Sequence, residues 1–150
     1  MNRRYGRPPI SGQLYVPRPG VYAILPVGDG LLVTHQTTPK PELQLPGGGV
    51  DPGEQPLRAL YREVLEETGW QIARPVRLGQ FKRFTYMPEY SIWAEKLCTV
   101  YLANPTRKLC DPLEPGHSAE VISVAEALAS LGNAGDRAFV KSWFNRSWRL

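Results

Sequence analysis

Cysteine is nearly missing from this chain. Cys98 and Cys110 are the only two, and their spacing matches neither a CxxC redox pair nor a zinc-ligand pattern. That argues against a disulfide-stapled scaffold and a structural zinc site, and leaves two reduced thiols as the expectation. Long hydrophobic runs are missing too. No stretch approaches the roughly 18 apolar residues that a bilayer crossing requires, and the opening MNRRYGRPPISGQLY lacks the apolar core of a secretory signal. The expectation is a chain with no membrane partner, located in the cytoplasm. Internal repeats are also absent, and low complexity is confined to the run Gly47, Gly48, Gly49.

What is present suits one folded unit. The 150 residues are enough to bury a core without staples, so residues 1–150 are read as a single domain, with residues 1–16 as an extended N-terminal arm. Fifteen prolines and fourteen glycines predict many turns. The net charge of +4 suits an anionic partner, and Arg3, Arg4, Arg7, Arg146 and Arg149 place basic residues at both ends. Solvation of charged termini accounts for these arginines as readily as contact with RNA does.

The hydrophobic pattern predicts a mixed chain. VYAILPV and LLVTHQ, separated by Gly28-Asp29-Gly30, read as a hairpin. After a loop marked by Pro39 and Pro41, the short apolar stretch Leu43 to Leu45 delivers the glycine run as a loop. Residues 56–68 carry Leu57, Leu60, Tyr61, Val64 and Thr68 at helical spacing, with Pro56 in the first turn and Gly69 as the stop. Residues 77–86 and 92–102 are rich in aromatic and β-branched side chains and read as an antiparallel pair. A short apolar stretch at 121–124 and helices near 125–131 and 136–143 complete an α/β (α+β) chain.

The acidic residues are unevenly spread. Asp51, Glu54, Glu63, Glu66 and Glu67 fall within 17 residues. At 3.6 residues per turn, Glu63, Glu66 and Glu67 occupy an arc of about 100° on one flank of the helix. The pair Glu63 and Glu67 repel at i,i+4, and Glu66 and Glu67 sit near the negative end of the helix dipole. A solvated glutamate face is the plain reading of such a pattern. A hard divalent cation, which prefers carboxylate oxygens, would reverse the sign of the repulsion. The segment LPGGGVDPGE directly upstream brings backbone without side chains to the same place.

Gly48, five residues, Glu54, seven residues, then Arg62-Glu63-Val64-Leu65-Glu66-Glu67-Thr68-Gly69-Trp70 resembles a complete Nudix box. Trp70 stands where the family usually has Ile, Leu or Val, and Gln55 where a Ser or Thr cap is common. Neither departure touches a carboxylate. The resemblance implies a Nudix-type α/β/α sandwich around a central mixed β-sheet. It also implies a metal-dependent pyrophosphohydrolase that cleaves a phosphoanhydride bond in a nucleoside diphosphate-X substrate.

On this resemblance Mg²⁺ is the expected cofactor, with Mn²⁺ as a substitute. Its ligands are Glu63, Glu66, Glu67 and the Gly47 carbonyl, with Glu54 as an outer ligand. Arg62 orients a neighbouring carboxylate, a task suited to its planar fork. Glu66 and Glu67 are the first candidates for general base, followed by the loop carboxylates Glu114 and Glu120. For substrate contact the candidates are Gly48, His117, Tyr86 and Trp93, the two aromatics because a ring can stack on a base. His35 has no partner suggested by sequence.

The leaving group stays open among dinucleoside polyphosphates, nucleoside triphosphates and nucleotide sugars. Tyr86, 16 residues past Trp70, resembles a marker of dinucleoside polyphosphate hydrolases, whereas Thr85 stands where ADP-ribose hydrolases place a proline. Two alternatives stand beside this reading: RNA 5′-pyrophosphohydrolysis, motivated by the basic termini, and a nucleotide-sensing module without turnover. A homodimer is common in the family.

Overall fold

The computed structural model describes residues 3–38 and 40–147. Pro39, which marks a loop in the sequence, and Arg149, part of its basic C-terminus, lie outside the described residues. So do Met1 and Asn2 of the N-terminal arm.

Two sheets share the strands. β1 (Arg3–Arg4), β7 (Trp70–Met87), β8 (Ile92–Lys108), β2 (Val16–Ile24) and β6 (Gly47–Gly49) lie side by side in that order. β1 runs parallel to β7, β7 antiparallel to β8, β8 parallel to β2, and β2 antiparallel to β6, so this sheet is mixed. In the second sheet β4 (Gly30–Gln36) is central. It pairs antiparallel with β3 (Pro26–Val27) near its start, with β5 (Glu42–Gln44) near its end, and with β9 (His117–Ser123) along its length. The expected hairpin is present, with Val27 opposite Gly30. Its first strand is interrupted at Leu25, however, and the portion before that residue joins the other sheet.

The glycine run departs from the loop expected of it. Gly47 to Gly49 form strand β6, with Tyr22 opposite Gly47 and Gly20 opposite Gly49. Backbone pairing holds these residues, and glycine is required at Gly47, where the strand is pressed against the backbone of β2. Gly47 has φ 151°, and a Cβ there would run into the Val21 carbonyl oxygen.

The helix that follows, α1, spans Pro56–Thr68, with proline in its first turn. Gly69 closes it in the left-handed conformation, φ 77°, and its amide donates to the Leu65 carbonyl. A side chain at Gly69 would also strike the Cys110 backbone, which packs over the helix end. The buried stripe is Ala59, Leu60, Val64 and Thr68; Leu57 and Tyr61, expected to share it, face solvent at 43% and 41% exposure. Full burial of Leu60 and Val64 contributes about 1.5–3 kcal/mol each.

α1 packs on one sheet face with Val21, Ala23, Leu32, Ile72 and Tyr101. α2 (Val124–Ser130) and α3 (Ala134–Ser147) cover the other, over a core that includes Ile24, Leu31, Val33, Phe81 and Val100. The result is the expected α/β/α sandwich. Ser123 caps α2 by accepting the Glu126 amide at 3.0 Å. Asn133 caps α3, its side-chain oxygen accepting the amides of Gly135 and Asp136 at 2.8 and 3.2 Å. Among the described residues no helix is long and apolar enough to cross a membrane.

Candidate active site

Strand β6 and the last turns of α1 meet at one end of a cleft of about 780 Å³. Glu67 is 6% exposed, and its Oε1 accepts the Gly47 amide at 3.0 Å. Burial, reinforced by the charges of Glu63, Glu114 and Glu66 and opposed by the Gly47 amide, pushes its carboxyl up to about 8. Glu63 is raised for the same first reason, burial, with Arg62 opposing and Glu66 and Glu114 adding to the rise. Gly48 leaves the space Glu63 needs, since a Cβ there would overlap the Glu63 carboxylate.

Arg62 ties the cluster together. Its Nε and Nη2 donate to the two oxygens of Glu54, both at 2.8 Å. Nη1 reaches Glu63 at 3.0 Å and Glu66 at 3.4 Å, and Nη2 also donates to the Gly49 carbonyl at 3.2 Å. The fork fixes the strand, the turn and the helix face at once. Glu54 is held down to about 2 by Arg62 and by the Asp51 amide, which donates to it at 3.0 Å.

The segment after β8 folds back over the end of α1, where the amides of Leu113 and Glu114 donate to the Glu66 carbonyl at 2.7 and 2.9 Å. This brings Glu114 into the carboxylate group. His117 opens β9 on the same side of the sheet, with Nδ1 buried 3.6 Å from Glu67 Oε2 and without a hydrogen-bond partner. Burial lowers its basicity, which keeps the ring neutral near neutral pH.

Glu120 is not brought to this group. It lies opposite Val33, on the face covered by α2 and α3, and is bound to His35 Nε2 at 2.7 Å. The two-residue alternation of β9 puts His117 and Ala119 on the α1 side and Glu120 on the other. Tyr86 and Trp93 also stand apart from the cleft. They pair with each other across β7 and β8, ring centroids 5.1 Å apart, on the sheet face opposite to Arg83 and Lys96.

The cleft wall holds instead a row of cations that sequence reasoning missed. Arg18 on β2 is in register with Lys96 on β8, and Lys96 with Arg83 on β7, so three adjacent strands present three positive side chains to the cavity. The Arg18 guanidinium lies 4.6 Å over the ring of Tyr90, which comes from the β7–β8 turn. Tyr22, Asn133 and Asp136 also line the cleft. Asp136 is 3% exposed, and burial raises its carboxyl to about 6 against the pull of the Leu45 amide, Arg83 and Lys96. The sequence alone did not single them out, since Lys82 and Glu95 stand directly beside Arg83 and Lys96.

The donor set suits a hard cation. Glu63, Glu66, Glu67 and Glu114 raise one another's affinity for positive charge, and the oxygens are those Mg²⁺ prefers. Among the described residues no three such groups form a ready-made cage, and Arg62 and the Gly47 amide occupy oxygens of Glu63, Glu66 and Glu67. Binding an ion would exchange part of the Arg62 contact for the ion.

Known proteins agree with this architecture. The NUDIX domain model matches residues 16–143. Among solved structures, a MutT protein from Bacillus halodurans superimposes with TM-score 0.68 at 23% identity, covering 83% of this chain and 80% of that one. A NUDIX hydrolase from Nitrosomonas europaea gives 0.64 at 25% identity, over 77% and 78%. A Bacillus subtilis (strain 168) protein with the provisional name 8-oxo-dGTP diphosphatase is 42% identical over 53 residues, which is 35% of this chain and 36% of that protein. An RNA pyrophosphohydrolase from Halorhodospira halophila (strain DSM 244 / SL1) is 39% identical over 67 residues, 45% of this chain and 37% of that protein. The chain spans little more than a third of the length of the curated relatives it matches.

The family model and the fold agree over nearly the whole described chain. The chain belongs to the Nudix family, whose members act on nucleotide substrates and generally use divalent metal ions.

Proposed function

We propose that the protein is a Mg²⁺-dependent pyrophosphohydrolase, with Mn²⁺ as a substitute, that cleaves a phosphoanhydride bond in a nucleoside diphosphate-X substrate. The observation that carries this reading is the division of one cleft into two charges. Glu54 and Glu67 line it beside β6 and α1, and the row Arg18, Lys96, Arg83 stands on the wall, with Glu42 and Asp136 close to Arg83. The carboxylates beside α1 attract cations and the row attracts anions, as a metal-bound polyphosphate requires.

In this account Glu63, Glu66 and Glu67 hold the ion, the Gly47 carbonyl adds a ligand, and Glu54 acts from outside through Arg62. A divalent ion supplies charge neutralisation on the phosphates and a more acidic water. Arg62 positions Glu54, Glu63 and Glu66. Arg18, Lys96 and Arg83 neutralise substrate phosphate charge. Asn133 uses its oxygen as a helix cap, which leaves its amide NH₂ to donate to a base held beside Asp136. Glu66, Glu67 and Glu114 are the candidates for proton acceptor, and Glu114 takes the place expected of Glu120.

The test is phosphate and pyrophosphate release from nucleoside triphosphates, dinucleoside polyphosphates, nucleotide sugars and 5′-triphosphorylated RNA, with Mg²⁺ and with chelator. Selective turnover that chelator abolishes supports the reading. Binding of nucleotides without turnover of any of them would leave the sensing module in its place.

A further inference from the structure

A second cavity, of about 690 Å³, opens beside the catalytic cleft and shares Arg83 and Asn133 with it. It wraps the edge of β7 just beyond the point where β1 stops pairing, at Lys82. One wall is aromatic. Tyr15 meets Phe84 edge to face with centroids 4.9 Å apart and meets Trp93 at 6.1 Å, and Tyr86 leans on Trp93. The other wall is cationic, formed by Arg7 of the N-terminal arm, Lys40, Arg83 and Arg137.

Anchoring of the arm accounts for Tyr15, but it does not account for the charges. Among the described residues four cations line the cavity and no carboxylate does, although the chain carries 14 Asp and Glu against 18 Lys and Arg. Arg137 is held by the Leu131 carbonyl at 2.6 Å, and Arg83 stands 4.0 Å from Glu42 in the neighbouring cleft. Arg7 and Lys40 make no side-chain ion pair among the described residues. Like charges brought together without partners cost free energy unless an anion offsets them. Tyr86, 44% exposed, leaves part of its ring open to a ligand. Stackable rings beside unpaired cations are the chemistry that recognises a nucleotide, ring on aromatic and phosphate on cation.

We propose that this pocket is a second nucleotide subsite, which seats the nucleotide next to the one held in the catalytic cleft. The assignment rests on the pyrophosphohydrolase reading and narrows it to substrates with two nucleotide units. Such a unit has two sources: the second residue of a 5′-triphosphorylated strand, or the second nucleoside of a dinucleoside polyphosphate. The two cavities meet at Arg83 and Asn133, so a unit seated in the pocket would lie beside one held in the cleft.

The experiment compares kcat/KM for a nucleoside triphosphate, a 5′-triphosphorylated dinucleotide and a dinucleoside tetraphosphate in the unsubstituted protein, in the double variant Arg7→Gln with Lys40→Gln, and in Tyr86→Ala. The unsubstituted protein should favour one two-unit substrate by about tenfold or more, the worth of one stacked base. Both variants should lose that preference, and the charge variant should turn over the nucleoside triphosphate at an unchanged rate. Which two-unit substrate is favoured names the source. No preference in the unsubstituted protein, or an equal loss on all three substrates, overturns the subsite while the hydrolase stands. If nothing is hydrolysed, calorimetric titration with a 5′-phosphorylated dinucleotide and a mononucleotide reads the subsite alone. Tighter dinucleotide binding that weakens in the charge variant upholds it, and equal affinities overturn it.

Discussion

The Gly47 amide donates to the buried Oε1 of Glu67 at 3.0 Å, so a single hydrogen bond fastens the glycine strand to the last turn of α1. The bond leaves Oε2 facing His117 and holds the carboxylate toward the cleft.

Glu67→Gln keeps an acceptor for that amide and removes a carboxyl that burial makes costly to ionise. Without metal its thermal stability should equal or exceed that of the unsubstituted protein. Turnover should fall by about 100-fold or more, since even outer-shell partners of a metal count for 10–100-fold. Melting curves and rates on one preparation check both halves; a variant that unfolds would show that Glu67 is needed for structure.

Gly48→Ala places a methyl group against the Glu63 carboxylate, which can swing aside because it ends a flexible side chain. The melting temperature should change little. The Mg²⁺ concentration for half-maximal activity should rise about tenfold as Glu63 is displaced. A large loss of stability with unchanged metal dependence would contradict this placement.

Glu120→Gln should stay within about twofold of the unsubstituted rate, because the side chain is bound to His35 on the sheet face away from α1. A loss of two orders of magnitude would return Glu120 to the site.

Asp136 governs a pH effect on stability. Burial raises its folded-state value to about 6 from an ordinary 3.8, with Glu42 adding to the rise and the Leu45 amide, Arg83 and Lys96 opposing it. Between those values the folded protein keeps a proton that the unfolded chain has released. Stability is therefore highest below the unfolded value and falls as pH rises from about 4 to 6. Asp136→Asn should abolish that loss, so its advantage in urea midpoint should grow over the same interval. A difference independent of pH would show that Asp136 ionises normally.

The parts legible in the sequence were local ones. Pro56 and Gly69 carry their own backbone preferences, so α1 begins and ends where they place it. The spacing of Glu63, Glu66 and Glu67 follows from helix geometry alone. What could not be read depended on distant partners. The glycine run became strand β6 because β2 offered it a backbone to pair with. Leu57 and Tyr61 match the helical period yet face solvent, because the sheet meets α1 along Ala59, Leu60 and Val64. β7 has irregularities at Gln71/Ile72, Ala73/Val76 and Arg77/Gly79, each able to change which face later residues occupy. Which face Arg83 takes, and the alignment of Arg18 with Lys96, therefore needed the register.

The most direct test of the account is release of phosphate or pyrophosphate from the nucleotide panel by the unsubstituted protein and by Glu67→Gln, with Mg²⁺ and with chelator. The account predicts turnover of at least one substrate by the unsubstituted protein with Mg²⁺, its loss in chelator, and its loss in the variant. Turnover that survives both chelator and Glu67→Gln would contradict it.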